Sequence, residues 1–180
     1  MYKVKGKPWA YSGAIDVSDC ATAKEVMLKA GLNFNVAKCE LVGKMPIKLT
    51  GTDEELDRII KEQKEGAHVF GTDIYRKCDN AFATYRTDYN IPLGVVKSKY
   101  TIVQNNDAFN FFDDAIGKNS AIWQTAGFWG NGERIFVSAK LPNNILVKGD
   151  PVENYLVFTN THDGSGGVKI LFTPIDRKST

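Results

Sequence analysis

The feature that most constrains the fold is a pair of apolar segments joined by Asn131-Gly132 in the second half of the chain. These segments, 122–128 and 134–139, flank a dipeptide whose residues readily adopt the positive φ of a tight hairpin turn. A second pair of such segments, 155–159 and 168–172, flanks a glycine-rich turn. Successive hairpins make antiparallel strands, so the second half is predicted to be antiparallel sheet.

Three segments carry helical patterns. Thr22 and Thr52 each precede a glutamate by three residues, which is the form of a capping box, and predict helices at about 22–30 and 53–65. A third helix is expected over about 105–116. The residues predicted to face the core are Val26, Met27, Ala30, Leu56, Ile59, Ile60, Ala108, Phe109, Phe112, Ala115 and Ile116, with Phe111 widening the last face. Helices segregated from antiparallel strands define an α+β fold.

Two further segments have strand character. Residues 32–36 alternate apolar and polar side chains, which predicts a half-buried strand. Residues 81–86 and 93–103 flank a turn at 88–90 and form a third hairpin candidate. At 180 residues, with 43% hydrophobic and 24% charged residues, the chain fits one ordered domain spanning 1–180.

The sequence favours a cytoplasmic protein without a membrane partner, because no apolar run approaches the ~18–20 residues of a membrane span. Basic residues near the start are followed by no signal-peptide core. The chain has three widely spaced cysteines, Cys20, Cys39 and Cys78. Their odd number fits a reducing compartment, and their spacing does not fit a zinc ribbon. His68 and His162 are the two histidines, so a three-histidine metal site is excluded. We expect no metal and no cofactor.

The turn His162-Asp163-Gly164 is a candidate functional feature. A His-Asp pair resembles part of a metal-dependent phosphohydrolase site, but such a site needs further ligands on helices. The following glycines lack the Gly-Lys-Ser/Thr sequence and helix of a phosphate-binding P-loop. Local turn chemistry is therefore the simpler interpretation, and the sequence predicts no catalytic residue and no enzyme activity.

Basic side chains interleaved with aromatic residues give the strongest functional signal. Lys97 and Lys99 are two positions apart and are predicted to share a strand face beside Tyr100. Cations that hold phosphates beside aromatic platforms are typical of single-strand binding. Trp129, at a predicted hairpin tip, is a candidate exposed anchor. The nucleic-acid or partner-binding candidates on strands and turns are Arg76, Lys77, Arg86, Lys97, Lys99, Tyr100 and Trp129; an ordinary polar sheet face is the alternative.

The second helix is acidic and suggests a different kind of partner. Its acids are Asp53, Glu54, Glu55, Asp57, Glu62 and Glu65. If Leu56, Ile59 and Ile60 dock the helix on the sheet, most of these acids face outward and oppose a basic nucleic-acid channel. Glu54, Glu55 and Glu62 are the candidates for such a contact, and a solvated helix face is the alternative.

Short motifs in a fixed order also carry a family resemblance. They are Gly6-Lys7-Pro8-Trp9, 29–34, Tyr85-Arg86-Thr87-Asp88, 93–96, 100–105 with 108–109, 125–127, 155–156, 160–164 and 172–175. The chain resembles a phage- and plasmid-borne family described as a domain of unknown function. It has Ala10 where that family has histidine, and it ends soon after the last motif, so it resembles the N-terminal part of a minimal or truncated member. The resemblance implies a mobile-element origin and no particular activity.

The sequence therefore predicts a phage or mobile-element accessory protein in the bacterial host cytoplasm. It would act without catalysis, by stoichiometric binding to nucleic acid or to a host nucleoprotein complex. An anti-CRISPR-type inhibitor of an RNA-guided nuclease stays open as an alternative. So does a single-strand DNA binding or annealing protein, on a fold-level analogy with phage annealing recombinases. Homo-oligomer formation also stays open.

Overall fold

The computed structural model describes residues 13–46, 52–65, 67–70, 73–117, 121–147 and 150–175. Within these residues the helices are α1 (Ala23–Lys29), α2 (Asp53–Lys64) and α3 (Asn105–Gly117). The strands are β1 (Ala14–Asp16), β2 (Val36–Pro46), β3 (His68–Phe70), β4 (Asp73–Arg86), β5 (Ile91–Lys97), β6 (Ile122–Trp129), β7 (Arg134–Lys140), β8 (Ile145–Val147), β9 (Asp150–Thr161) and β10 (Lys169–Ile175). The predicted α+β class is confirmed. No helix in the described residues is long and apolar enough to cross a membrane.

The strands form two antiparallel sheets. The core sheet has the order β1-β6-β7-β9-β10, and β8 pairs with β9. In the arm sheet β4 is central, with β2 along one edge and both β3 and β5 along the other. The three predicted hairpins are confirmed as β4–β5, β6–β7 and β9–β10. The second strand of the first hairpin ends at Lys97, however, and does not extend to 103.

The hydrophobic core lies between the core sheet and the helices α1 and α3. The rings of Phe109 and Phe158 meet edge to face at 6.0 Å, and those of Phe112 and Trp123 lie 5.7 Å apart. The predicted inward face of α1 is buried. The prediction for Phe111 is wrong, since its side chain is 59% exposed. It follows Phe109 by two residues, which places it about 200° around the helix.

The predicted strand from Leu32 to Val36 has the expected alternation of burial but is not paired as a strand before Val36. Side chains at the start of α3 bind its backbone instead. Gln104 accepts from Val36 N at 3.0 Å and donates to Val36 O at 2.8 Å, and Asn105 Nδ2 donates to Leu32 O at 3.0 Å. The backbone groups that a neighbouring strand would satisfy are thus bound by two amide side chains.

The outer part of the arm sheet contains an irregularity in β4. Glu40 pairs with Phe82 and Val42 pairs with Lys77, so β4 has four residues, 78–81, where β2 has only Leu41. The four residues 78–81 form the β4 bulge. Asn80 sits in it with φ 56°, a left-handed conformation that asparagine tolerates better than most residues. Bulges bend a strand and re-aim its side chains.

The predicted docking of α2 is wrong. Leu56 is 58% exposed and Ile60 is 42% exposed, whereas Glu55 is 8% exposed. Glu55 lies 3.8 Å from the guanidinium of Arg58 on the next turn. The helical pattern shows which face of α2 is apolar, but it does not show whether a surface lies opposite that face. Of the other elements, α2 contacts chiefly the short β3.

Candidate functional site

The bulge groove is lined by residues 79–81 of β4 and 95–99 at the end of β5, and has a volume of about 770 Å³. It forms because the β4 bulge lies beside the end of β5, where Ala81 pairs with Lys97. The bulge in β4 and the turn after β5 therefore create this concave surface together. Its size falls within the range of about 300–1,000 Å³ that is common for ligand sites.

The structure brings Lys97 and Lys99 together in the bulge groove, although not as predicted. Lys97 is the last residue of β5, and Lys99 lies in the turn that follows. Tyr100 N donates to Lys97 O at 3.0 Å and closes that turn, so the shared strand face is wrong for Lys99. Both lysines are exposed. Within the described part of the chain, neither is ion-paired with a carboxylate.

The turn after β5 is fixed from two sides. Lys38 Nζ donates to Ser98 O at 3.1 Å and to Tyr100 O at 2.8 Å. The Tyr100 hydroxyl donates to Thr161 O at 2.7 Å, which ties the turn to the end of β9. Burial, and then the negative charge of Asp163, raise the pKa of Tyr100. Tyr100 is thus a half-buried structural link more than an open stacking platform.

Residues 162–165 form a turn that lies between β5 and β7. Asp163 accepts from Ser165 N at 2.8 Å and from Arg134 Nε at 3.4 Å. Burial acts to raise the pKa of Asp163, but the hydrogen bonds from Ser165 and the charge of Arg134 outweigh it, so the pKa lies below its usual value. Gly164 has φ 78°, and a Cβ there would meet Val96 Cγ1 at 2.9 Å. Local turn chemistry therefore explains Asp163 and Gly164.

His162 lies in the protein interior and not at the turn surface. Its Nε2 is 2.8 Å from Asn105 Oδ1, and its ring meets Phe34 edge to face. The Asn105 amide nitrogen donates to Leu32 O, so Asn105 Oδ1 accepts and His162 Nε2 carries the proton. Burial lowers the pKa of His162 to about 4, with a smaller opposing effect from Asp163. Among the described residues, no three His, Cys, Asp or Glu side chains cluster to hold a metal ion.

Arg86 was predicted as a nucleic-acid contact, but the structure places it in a buried junction between the sheets. Its Nε and Nη2 donate to the Asp88 carboxylate at 3.1 and 2.7 Å, and Nη1 donates to Asn131 O at 2.8 Å. The guanidinium also lies 3.9 Å from the centre of the Phe34 ring. Its donors are therefore already bonded within the chain, away from the bulge groove.

The remaining predicted residues lie apart from the bulge groove. Arg76 and Lys77 are on β4 beyond the bulge, where Lys77 forms an ion pair with Glu40. Glu54 is exposed on α2. The buried position of Glu55 does not fit its predicted role at a partner surface, and the side chain of Glu62 lies outside the described residues. The structure does not gather these candidates into one site.

Trp129 marks a second concave surface, the Trp129 pocket. It is 40% exposed, and its ring centre lies 4.9 Å from that of Phe136. Two adjoining cavities of about 280 and 390 Å³ share Trp129 and Arg134. The residues that line them are Trp129, Gly130, Glu133, Arg134, Thr159, Asn160, Thr161, Asp163, Ser165, Gly166, Gly167 and Lys169.

Sequence reasoning missed Arg134 and Lys169. Strand register brings them together, because Arg134 pairs with Thr161 and Lys169 pairs with Thr159 on either side of β9. Directly paired residues of an antiparallel sheet project from the same face. The two cations therefore share a face with two threonines, which could be read from the sequence only after the strand order was known.

Comparison with known proteins bears on the half of the chain that holds these surfaces. Residues 92–176 match the sequence model of a family described as a domain of unknown function (DUF932). The chain resembles that family. The predicted resemblance is confirmed over this segment, which includes Lys97, Lys99 and the Trp129 pocket, whereas α2 and most of the arm sheet precede it. No curated protein and no solved structure matches the chain.

Proposed function

We propose that the chain is a phage or mobile-element accessory protein that binds a nucleic-acid strand stoichiometrically, without catalysis, along the bulge groove. The observation that carries the proposal is the placement of Lys97 and Lys99 in one groove of about 770 Å³, exposed and unpaired within the described residues. Unpaired lysines at a concave surface attract phosphate without first having to release a carboxylate.

A single strand fits the bulge groove better than a duplex does. The basic residues lie at one strand end and its following turn, whereas duplex readers present a helix or a β-ribbon to a groove. Binding to a strand needs cations that follow the phosphate backbone and tolerates irregular backbone at the site. The short turn from Lys97 to Tyr100 provides such cations on a backbone held by Lys38.

Fluorescence anisotropy with a labelled strand of about 16 nucleotides, the upper site size of a small binding module, tests the proposal. Single-stranded DNA, single-stranded RNA and duplex DNA are titrated at several salt concentrations. Combining Lys97→Ala with Lys99→Ala is expected to weaken strand binding. It should also reduce the slope of log affinity against log salt by about 1.4, or about 0.7 for each lost phosphate contact.

The matched control combines Lys24→Ala with Lys61→Ala, which removes two exposed lysines from α1 and α2. It should bind like the wild type. Unchanged affinity of the folded Lys97/Lys99 variant would remove the bulge groove from the proposal. Absence of binding to every nucleic acid at low salt would remove nucleic acid from it altogether.

A second candidate function, blockade of a host RNA-guided nuclease, is favoured by the surface of α2. Exposed Leu56 and Ile60 lie beside the exposed acids Asp53, Glu54 and Asp57. An apolar centre within an acidic surface suits a basic, strand-binding channel. Charge reversal of Glu54 and Asp57 to lysine should slow association with such an effector, an effect that salt screens. Undiminished target-DNA binding by the effector in the presence of wild-type protein would exclude this function.

A further inference from the structure

The Trp129 pocket combines groups that recognise both parts of a nucleotide. Arg134 and Lys169 supply positive charge, and Thr159, Thr161 and Ser165 supply hydroxyls along the same wall. Trp129 supplies a partly exposed indole where the two cavities meet. Arginine and hydroxyl donors suit a phosphate, and an indole suits a planar base.

Arg134 is held in place before any ligand binds. Its Nε donates to Asp163 Oδ2 at 3.4 Å and its Nη2 donates to Ser165 Oγ at 3.1 Å. The side chain of Arg134 remains 54% exposed. Since a guanidinium has five N–H donors, these contacts leave others for a ligand oxygen. Lys169, exposed on the edge strand β10, has no ion-pair partner within the described residues.

One hydroxyl behind the pocket wall is buried without a hydrogen-bond partner in the described part of the chain. Thr161 Oγ1 is shielded from solvent and, within the described part of the chain, makes no hydrogen bond. Buried polar groups without a partner are uncommon, because leaving one unpaired lowers the stability of the folded state. A Cβ at residue 166 would lie 3.4 Å from this hydroxyl, whereas Gly166 leaves the space beside it free of a side chain.

We infer that the Trp129 pocket binds a nucleoside monophosphate, with the phosphate between Arg134 and Lys169 and the base against Trp129. The larger cavity, about 390 Å³, extends past Trp129 to Glu133 and takes the base. The smaller, about 280 Å³, holds the hydroxyls and Lys169 and takes the phosphate. The inference goes beyond the proposed function, because a free mononucleotide would bind here whether or not the bulge groove holds a strand.

Proton–nitrogen NMR titration of the whole chain tests the inference with AMP, adenosine, ribose 5-phosphate and inorganic phosphate. The chain has three tryptophans, so the indole signal that is absent from Trp129→Leu identifies Trp129. AMP is expected to shift that signal and to bind at least tenfold more tightly than adenosine or ribose 5-phosphate. Combining Arg134→Ala with Lys169→Ala should lower AMP affinity at least tenfold and leave adenosine binding unchanged.

Trp129→Leu should weaken AMP and adenosine but leave ribose 5-phosphate unchanged, while Lys24→Ala, on α1, should change nothing. If Arg134→Ala disturbs the fold, Lys169→Ala alone still tests the charge, because Lys169 is exposed on an edge strand. Equal affinity for AMP and inorganic phosphate would overturn the nucleotide inference in favour of a simple anion site. Absence of any AMP-dependent shift at millimolar concentration would overturn the site itself.

To separate the two ligand sources, the AMP titration is repeated with a short single strand present. If the strand reduces the shift that AMP causes in the Trp129 signal, a nucleotide of the strand occupies the pocket. If the shifts caused by AMP and by the strand add, the pocket is a site for the free nucleotide. AMP binding that survives in the Lys97/Lys99 variant would support this inference even if strand binding at the bulge groove fails.

Discussion

Two parts of the molecule are held together in different ways. One is the core half, which is built on the core sheet, and the other is the outer arm. The core half buries a continuous set of apolar side chains between the core sheet, α1 and α3. In the outer arm, which is the described part of 38–81, Ala67 is the one buried apolar residue among those whose side chains the structure describes. The arm is held by strand pairing, chiefly between β2 and β4. The same kind of substitution should therefore change the free energy of unfolding by very different amounts in the two regions.

Leu32→Ala should have the largest effect and would sharpen the contrast. Leu32 is fully buried in the core cluster. Removal of such a side chain leaves a cavity and should lower the free energy of unfolding by about 2–5 kcal/mol. Denaturant titration followed by circular dichroism measures the change. A loss below about 1 kcal/mol would show that the core half is less tightly packed than the structure indicates.

Acidification should destabilise the core half through His162. Its pKa is about 4 in the folded protein and ~6.5 in an unfolded chain, so the unfolded state binds the extra proton. The contribution of neutral His162 to the free energy of unfolding is therefore fully present above pH ~6.5. It decreases as the pH drops toward 4, and the loss over this window is up to about 3 kcal/mol. Unfolding free energies at a series of pH values measure this loss.

The matched variants for this pH effect are His162→Gln and His68→Gln. His162→Gln should flatten the pH dependence between pH 6.5 and 4.5, while His68→Gln, on an exposed residue of the arm, should leave it intact. An unchanged slope in His162→Gln would assign the acid sensitivity to other groups.

Arg86→Ala should lower the free energy of unfolding by about 2 kcal/mol, because it removes a buried guanidinium that stacks on Phe34 and donates three hydrogen bonds. Arg86→Lys should fail to restore stability, since an ammonium group cannot reproduce the fork that binds both Asp88 and Asn131. Denaturant titration measures these changes. Lys77→Ala on the arm is the comparison, because the exposed ion pair between Lys77 and Glu40 contributes only about 0–1 kcal/mol. Equal effects at Arg86 and Lys77 would contradict the distinction between the two regions.

Leu56→Ala should have the smallest effect. It removes the same atoms as Leu32→Ala, but from a side chain that is 58% exposed on α2. We expect a change within about 0.5 kcal/mol, as for most surface substitutions. Denaturant titration beside Leu32→Ala gives a direct comparison. A loss of more than about 2 kcal/mol would show that α2 is packed in solution and would break the comparison.

The sequence predicted helix starts and hairpin turns well where nearby residues alone determine the backbone conformation. The capping sequence at Thr22 binds as expected, with its hydroxyl accepting from Glu25 N at 3.3 Å. The hairpin predicted at Asn131-Gly132 does join β6 and β7, although its positive φ values fall at Gly130 (61°) and Gly132 (117°) and not at Asn131. Both features depend on residues close together in the chain, so no knowledge of the tertiary structure was needed.

The candidate site was less predictable because it depends on register and on missing partners. The pairing of Arg134 and Lys169 with residues of β9 follows from strand order, which periodicity does not encode. Leu56 is exposed because no surface within the described residues covers it, which an amphipathic pattern cannot reveal. Arginine is a residue type that often binds phosphate, but Arg86 donates its hydrogen bonds to its neighbour Asp88 and to a carbonyl oxygen distant in sequence, Asn131 O.

The close approach at Gly94 decides where the molecule can bend. A Cβ at residue 94 would lie 2.5 Å from Asp163 Cα, so β5 and the turn at 162–165 touch backbone to backbone. Such close contact leaves little room for β5 to shift against this turn. Rotation of the outer arm is therefore expected to centre farther out, at the β4 bulge around Asn80. The bulge groove would then widen or narrow as the arm swings, whereas the Trp129 pocket would keep its shape.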